Sequence, residues 1–193
     1  MKKFALICIC VVVPVLMGGC GSSSYAPVDS WWDDTFALVA EHKDLLTDAI
    51  LEIERTDGRI RSIAHTRRGT NFACPTVLGF EGWFYSSDDG RSPLENEVLL
   101  HVMEIAGVNS ISVSARWGYI RFSLGGRGFG PNTSYFGFYF SRSGEMDIWR
   151  GTHGEGVELT PHGEGWIWRE PRGDNIYFTE RIAGHFFYYE FHF

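Results

Sequence analysis

Residues 110–124 read SISVSARWGYIRFSL, and this stretch decides the fold class because apolar and polar side chains alternate along it. The apolar residues take the odd positions before Gly118 and the even positions after it. Strict alternation is typical of a strand with one buried face. A change of parity needs a turn or a bulge, and Gly118 can supply either. The stretch therefore predicts two strands that meet at Gly118.

The chain beyond this stretch is unusually aromatic, since twenty of the thirty Phe, Trp and Tyr residues lie between positions 117 and 193. Residues 135–140 alternate in the same way, with Phe136, Phe138 and Phe140 on one face. The connections between later apolar runs are too short for the crossovers that parallel strands require. We therefore expect antiparallel strands, the later ones lying near residues 146–149, 157–159, 166–168, 176–181 and 186–193.

Upstream, the apolar spacing becomes helical. From Thr35 to about Glu54, apolar residues recur at intervals of three and four, which predicts one amphipathic helix. Asp33, Asp34 or Thr35 itself is expected to cap its first turn. The predicted inner stripe comprises Leu38, His42, Leu45, Leu46, Ala49, Ile50 and Ile53.

A second helix is indicated by a Ser-x-x-Glu capping box from Ser92 to Glu95, with Pro93 at the first helical position. Gly107 is expected just beyond its last turn. Strands are expected at residues 59–66 and 83–85, between the two helices. The predicted inner stripe of the second helix comprises Leu94, Val98, His101, Val102 and Ile105.

These elements assemble into an α+β fold. We expect two amphipathic helices packed on one face of a mostly antiparallel, aromatic-rich sheet of about six to eight strands. The chain is long enough for one domain with a sizeable core, predicted over residues 31–193.

The N-terminus is typical of an export signal. Lys2 and Lys3 precede an apolar run over residues 4–17, which is shorter than the ~20 residues that a helix needs to span a bilayer. Met17-Gly18-Gly19-Cys20 resembles the bacterial lipobox, although Met17 stands where that pattern usually carries Leu. The resemblance implies a signal peptide over residues 1–19 and a lipid on Cys20. An ordinary signal peptide cut near Gly18-Gly19 is the alternative.

A lipidated Cys20 implies an exported protein anchored to a bacterial membrane. The anchored protein would lie on the outer face of the cytoplasmic membrane, or on the outer membrane if the envelope has one. Residues 20–30 would then form the lipid attachment and a flexible tether, because Gly-Ser-Ser-Ser follows the cysteine.

Charge and cysteine content exclude several classes of partner and cross-link. Loss of Lys2 and Lys3 with the signal peptide would move the formal charge from -7 to -9. An acidic domain without a basic stripe is not expected to bind nucleic acid. It is also not expected to bind anionic lipid headgroups, so the lipid should carry the membrane affinity. Cys8 and Cys10 lie in the signal peptide, which leaves Cys74 without a partner for an intramolecular disulfide.

The motif His-Gly-Glu-Gly occurs twice, beginning at His153 and at His162. Imidazole and carboxylate groups are zinc ligands, so the two copies are weak candidates for a metal site. The motif is also typical of glycine-rich hairpin turns, which we favour. No cofactor is predicted.

Other candidate sites are weaker. Cys74 could be a nucleophile, but no histidine is linked to it by a familiar motif, so an unreactive thiol is favoured. Glu164, Glu170 and Glu180 could pair for glycoside hydrolysis beside Trp166 and Trp168, although an acidic chain always supplies such pairs. The glycine-rich residues 125–130 lack the Gly-Lys-Ser/Thr ending of a phosphate-binding loop and are expected to join two strands.

The aromatic residues give the main functional hypothesis. Phe136, Phe138, Phe140, Phe187, Phe191 and Phe193 are expected to fill the core against the helices. A second packing layer formed by residues 67–92 is the alternative to an open face. On an open face, a binding surface is predicted from Tyr135, Tyr139, Trp168, Tyr177, Tyr188, Arg121, Arg142 and Arg181.

The leading interpretation is a membrane-tethered, non-enzymatic interaction domain that contacts a protein or glycan of the cell envelope. The alternatives are an envelope hydrolase that depends on carboxylates or a metal, and an immunity or inhibitor lipoprotein. The sequence alone names no ligand.

Overall fold

The computed structural model describes residues 26–56, 59–66, 82–87, 90–114, 118–128, 133–146, 159–171 and 173–193. Within them the chain is an α+β fold with three helices and one sheet of ten strands, all paired antiparallel. The fold class and the strand direction are therefore as predicted. Among these residues, no helix is both long enough and apolar enough to cross a bilayer.

The ten strands run in the order β3-β2-β1-β4-β5-β6-β10-β9-β8-β7 across the sheet. The prediction of six to eight strands is too low. The edge strand β3, of Gly, Arg, Ser and Pro, was not expected because it has no apolar alternation that could reveal it. The strands are β1 (Ser62–Thr66), β2 (Gly82–Ser87), β3 (Gly90–Pro93), β4 (Ser110–Ser114), β5 (Tyr119–Arg127), β6 (Ser134–Ser141), β7 (Thr160–His162), β8 (Gly165–Arg169), β9 (Ile176–Ala183) and β10 (Phe186–His192).

One predicted strand is displaced, and another lies mostly outside the described residues. Met146 is outside any strand, and the rest of the strand predicted near residues 146–149 lies outside the described residues. The strand predicted near residues 157–159 begins later, at Thr160. Gly118 has a φ of 71° and lies in the turn between β4 and β5, so the turn predicted from the change of parity is confirmed.

The first helical region is divided. α1 (Asp29–Glu41) and α2 (Lys43–Arg55) replace the single predicted helix, and His42 between them has φ -108° and ψ 19°. α1 packs on β6, β9 and β10, whereas the buried face of α2 packs in the cluster that includes Ile63 and Ile111 of β1 and β4. A twisted sheet turns by roughly 20–25° per strand, so one straight helix would not follow both halves. α1 begins inside the predicted tether, and Val28, not a side-chain cap, precedes it.

The third helix begins later than the sequence predicts. Residues 90–93 pair with β2 as an edge strand, where proline is tolerated, so Ser92 and Pro93 do not start a helix. α3 (Glu97–Ile105) is capped by Asn96, whose side chain accepts from the Leu99 amide at 3.0 Å. The buried residues of α3 are Leu99, Val102 and Met103, whereas His101 and Ile105 of the predicted stripe are exposed, Ile105 by 51 %. Gly107 follows the helix at φ 60°, as expected.

The sheet is packed on both faces. The helix face carries Phe122, Phe138 and Phe186, which belong to one cluster with the buried side chains of α2 and α3. The opposite face carries a second buried cluster, in which the ring of Tyr139 stacks on Phe187 with centroids 5.1 Å apart. This opposite layer consists of Tyr139, Tyr177, Phe187, Tyr189 and Phe191, with Tyr119, Met146, Leu159 and Trp168 packed against it.

This arrangement corrects the predicted parity of β10. Phe187 and Phe191 lie on the opposite face rather than against the helices, and Tyr188 lies on the helix face with Phe36 and Phe178. Aromatic side chains occupy both faces of this strand, so hydrophobicity does not decide which face is which.

Two glycines in β5 make room for aromatic rings of β6. A Cβ atom on Gly126 would lie 2.8 Å from the Tyr135 ring, and one on Gly125 would lie 3.0 Å from the Phe136 ring. Both glycines pair with β6, so the strand continues through residues that were expected to form the connection.

Candidate functional site

A buried carboxylate marks one end of the sheet, where β6 begins, β10 ends and α1 starts. Glu190 is fully buried on the helix face of β10. Its Oε1 accepts from the backbone N–H of Val28 at 2.9 Å and from the Tyr188 hydroxyl. Charge-assisted hydrogen bonds of this kind stabilise a buried carboxylate. We call this region the Glu190 end of the sheet.

His192 and Ser134 extend the cluster toward the surface. His192 Nε2 lies 2.8 Å from Glu190 Oε2, and Nδ1 of the same ring lies 2.7 Å from Ser134 Oγ. Ser134 and His192 are directly opposite each other in the β6–β10 register. The His192 side chain is 22 % exposed, whereas that of Glu190 is buried. A hydroxyl, an imidazole and a carboxylate thus form one hydrogen-bonded chain from the rim of the sheet to its interior.

The chemistry of this chain follows from the tautomer of His192. A carboxylate oxygen accepts but does not donate, so the bond to Glu190 requires the proton on Nε2. In the neutral ring Nδ1 then carries a lone pair and can accept from the Ser134 hydroxyl. The arrangement orients an imidazole so that it can take a proton from a serine.

Helix α1 covers this end of the sheet through two tryptophans. Trp31 stacks on Phe136 with centroids 4.4 Å apart, and Phe136 lies two residues after Ser134 in β6. The Trp32 indole N–H donates to Glu180 Oε2 at 2.9 Å. Together with the Val28–Glu190 bond, these contacts fix the start of α1 against β6, β9 and β10.

An exposed aromatic pair lies at the same end, on the opposite face. The rings of Tyr135 and Phe193 meet edge to face at 5.8 Å, and each residue is 44 % exposed. The ring centroids of Phe193 and Phe191 are 4.1 Å apart, and this contact joins the pair to the opposite layer. Arg127, exposed at the end of β5, pairs directly with Ser134 and so belongs to the helix face rather than to the face of Tyr135. We call Tyr135 and Phe193 the exposed aromatic patch.

The residues of the predicted binding face divide between the two faces. Tyr139, Tyr177 and Tyr188 are at most 1 % exposed, so these three lie in the interior rather than on a surface. The physical reason is that the sheet has two packing layers. Tyr135 is exposed and Trp168 is half-buried against the opposite layer.

The three arginines of the predicted face also have separate positions. Arg121 lies over the rings of Tyr119 and Tyr189, at 5.2 and 5.0 Å. Arg181 lies 4.5 Å from the Phe187 ring centroid and donates to the backbone oxygen of Gly144. Arg142 donates from Nε to Glu54 of α2 at 2.9 Å, which places it on the helix side. Each arginine therefore contacts neighbouring elements of the fold.

The candidate cysteine and histidine residues do not come together in one site of the described structure. Cys20, Cys74 and His153 lie outside the described residues. His162 ends β7 beside the ring of Phe178, and Gly163 with φ 60° follows in the turn to β8, as the hairpin interpretation predicts. No group of three or more His, Cys, Asp or Glu residues suited to a metal is found in the described part of the chain.

Two of the three candidate glutamates lie at opposite ends of β8. Glu164 precedes β8 and Glu170 follows it, and a five-residue strand with both flanks spans roughly 20 Å. Glycosidase carboxylates lie about 5–9.5 Å apart, so this pair does not suit that reaction. Glu180 is engaged by Trp32.

The sequence interpretation missed Ser134, Glu190 and His192. A usable signal was present, because Glu190 and His192 are two residues apart in a strand and so share a face. A charged residue within the aromatic run FFYYEFHF also needs a partner if it is buried. The identity of that partner depends on the β6–β10 register, which the sequence does not specify.

The sequence matches no protein-family model, and no curated protein or solved structure is significantly similar to it.

Proposed function

We propose that this protein is a lipid-anchored, exported binding domain of a bacterial envelope, which contacts a protein or glycan through the exposed aromatic patch. The lipobox resemblance at Met17–Cys20 supports the anchor. The exposed Tyr135–Phe193 pair carries the binding part of the proposal, because large aromatic side chains are costly to leave in water.

The position of the patch suits a tethered protein. Val28, whose amide is bonded to Glu190, lies eight positions after Cys20. A chain of that length reaches at most about 28 Å, so a lipid on Cys20 would keep the Glu190 end close to the membrane. A partner embedded in or lying beside that membrane would meet the patch at high effective concentration.

The chemistry of the patch suits a protein or a glycan. Tyrosine combines an apolar ring with a hydrogen-bond donor, and both tyrosine and phenylalanine are enriched where protein surfaces bind partners. The two residues of the patch carry no positive charge, so an extended anionic ligand such as nucleic acid is not favoured. A flat ring or an apolar side chain of the partner would pack on Tyr135 and Phe193.

The anchor is tested by labelling. Cells that express the full chain and grow with labelled palmitate should yield a labelled protein, and globomycin should block its processing. Cys20→Ser should abolish the label and release the protein from the membrane fraction. Unchanged labelling of Cys20→Ser would contradict the lipid anchor.

Binding is tested with variants of equal exposure. Tyr135→Ala and Phe193→Ala, in the full chain, should each reduce co-sedimentation with purified peptidoglycan or photo-cross-linking to an envelope protein by about tenfold. Leu51→Ala and Ile105→Ala are the matched controls, since these residues are 45 % and 51 % exposed on α2 and α3. Binding that survives both patch substitutions would contradict the proposal.

A further inference from the structure

We propose that Ser134, His192 and Glu190 form a nucleophile, base and orienting carboxylate that hydrolyse carboxylic esters with an apolar acyl group. This activity goes beyond the binding function and stands on different residues. The geometry that carries it is the hydrogen-bonded chain, with 2.7 Å between Ser134 Oγ and His192 Nδ1 and 2.8 Å between His192 Nε2 and Glu190 Oε2.

Each member of the chain has the properties that its role requires. A serine is a weak nucleophile until an adjacent base takes its proton, and the base must be held by a third group. Both distances lie in the hydrogen-bonding range of about 2.6–3.2 Å that proton transfer needs. His192 presents Nδ1 to the serine and Nε2 to the carboxylate. The same logic operates in serine hydrolases, where the order of the residues along the chain is free.

Glu190 is itself held in place from two other directions. The Val28 amide and the Tyr188 hydroxyl both donate to its Oε1, which leaves Oε2 for His192. A carboxylate fixed in this way orients the imidazole and stabilises the imidazolium that forms during reaction. The burial of Glu190 makes that interaction stronger than it would be in water.

The surroundings of Ser134 determine the class of substrate. Ser134 and His192 are both partly exposed at the end of the sheet. On the same face, the stacked rings of Trp31 and Phe136 form an apolar surface next to the serine. An acyl chain or aromatic acyl group would lie on these rings, with its ester carbonyl beside Oγ.

The reaction has two steps. Ser134 Oγ attacks the carbonyl carbon while its proton moves to His192 Nδ1, and the alcohol leaves with that proton as the C–O bond breaks. Water then attacks the acyl-serine, giving its proton to Nδ1. Collapse of this second adduct releases the carboxylic acid and returns the proton to Oγ. Glu190 keeps its bond to Nε2 throughout.

The test measures covalent labelling and hydrolysis by the full chain. A fluorophosphonate probe should add one equivalent of mass, and peptide mapping should place it on Ser134. p-Nitrophenyl butyrate should be hydrolysed, and Ser134→Ala or His192→Gln should each lower that rate by about 10²–10⁴-fold. Ser143→Ala is the matched control, because its hydroxyl bonds to Ser141 and not to a histidine.

A double variant separates a relay from two independent effects. Members of one catalytic unit are not additive, so Ser134→Ala/His192→Gln should be no slower than either single variant. Thermal unfolding of each variant checks that the fold is retained. Absence of a Ser134 adduct on the folded wild-type chain, or unchanged hydrolysis in His192→Gln, would overturn the proposal. Loss of labelling in these variants with unchanged partner binding would separate this site from the exposed aromatic patch.

Discussion

At the scale of single residues, the closest constraint in the sheet is at Gly137. A Cβ atom there would lie 2.1 Å from the backbone oxygen of Phe122 and 3.1 Å from the Tyr189 hydroxyl. We expect Gly137→Ala to lower the free energy of unfolding by about 2–3 kcal/mol, because β5 and β6 would have to separate. Urea denaturation measures the change.

The control for this substitution is a glycine with free space around it. Gly184 has φ 55°, an added Cβ atom there would meet nothing within 4 Å, and asparagine tolerates this backbone region. Gly184→Asn should therefore cost less than ~1 kcal/mol. Equal effects of the two substitutions would contradict the close-approach argument.

Tyr189 makes stability depend on pH at the alkaline end. Burial raises the pKa of Tyr189 above its ordinary value of 10.0, although the nearby Arg121 guanidinium and a hydrogen bond with Ser123 act in the opposite direction. Below about pH 10 the hydroxyl keeps its proton in both states. Above about pH 10 the unfolded chain ionises first, so the free energy of unfolding falls by up to ~1.4 kcal/mol per pH unit.

This dependence can be measured directly. Urea denaturation of the wild type at pH 8, 10 and 11 should show a stability that is lost as pH rises toward the folded-state pKa. Tyr189→Phe should have a smaller loss between pH 10 and 11. The same pH dependence in both proteins would show that Tyr189 does not contribute.

At the scale of secondary-structure elements, the start of α3 provides the sharpest prediction. Asn96 accepts from the Leu99 amide and donates to Glu52 of α2 at 3.2 Å. Asn96→Ala should lower the free energy of unfolding by about 1–2 kcal/mol, measured by urea denaturation. Ser92→Ala is the comparison, since this residue lies in β3, four positions before the residue that caps the helix. A larger loss of unfolding free energy for Ser92→Ala than for Asn96→Ala would support the predicted capping box at Ser92 instead.

Sequence patterns of a few residues predicted the turns and strands whose conformation depends on neighbouring residues. The alternation around Gly118, the turn after His162 and the glycine after α3 are each decided by a few neighbouring residues. Antiparallel pairing followed from short connections. The sequence was equally informative about helices on one face, because their apolar stripes require a single partner surface.

Positions that depend on distant residues could not be predicted. Gly125 and Gly126 suggested a connection, but they lie in β5 because rings from β6 occupy the space of their missing side chains. Tyr188 and Phe187 are both aromatic, so only the register with β6 decides which one faces the helices. The cluster of Ser134, His192 and Glu190 depends on the same register.

At the scale of the whole molecule, the central strands support two packing layers at once. Neighbouring residues of β6, Phe138 and Tyr139, lie in different layers, and so do Phe186 and Phe187 of β10. Both layers pack on the same hydrogen-bonded strands. Loss of one layer would therefore expose the strands on which the other layer packs. We therefore expect the helices and the opposite layer to unfold together.

Phe187→Leu tests this coupling. The ring of Phe187 is fully buried and lies on the face opposite the three described helices, so its truncation should lower stability by about 1–2 kcal/mol. If the layers are coupled, helical circular dichroism and the near-ultraviolet aromatic signal should shift to the same lower midpoint. Phe122→Leu, in the helix-face layer, should likewise shift the midpoints of both signals together. An aromatic signal lost before the helical signal in Phe187→Leu would mean that the opposite layer melts separately. The shared strands argue against that result, because β6 and β10 contribute buried residues to both layers.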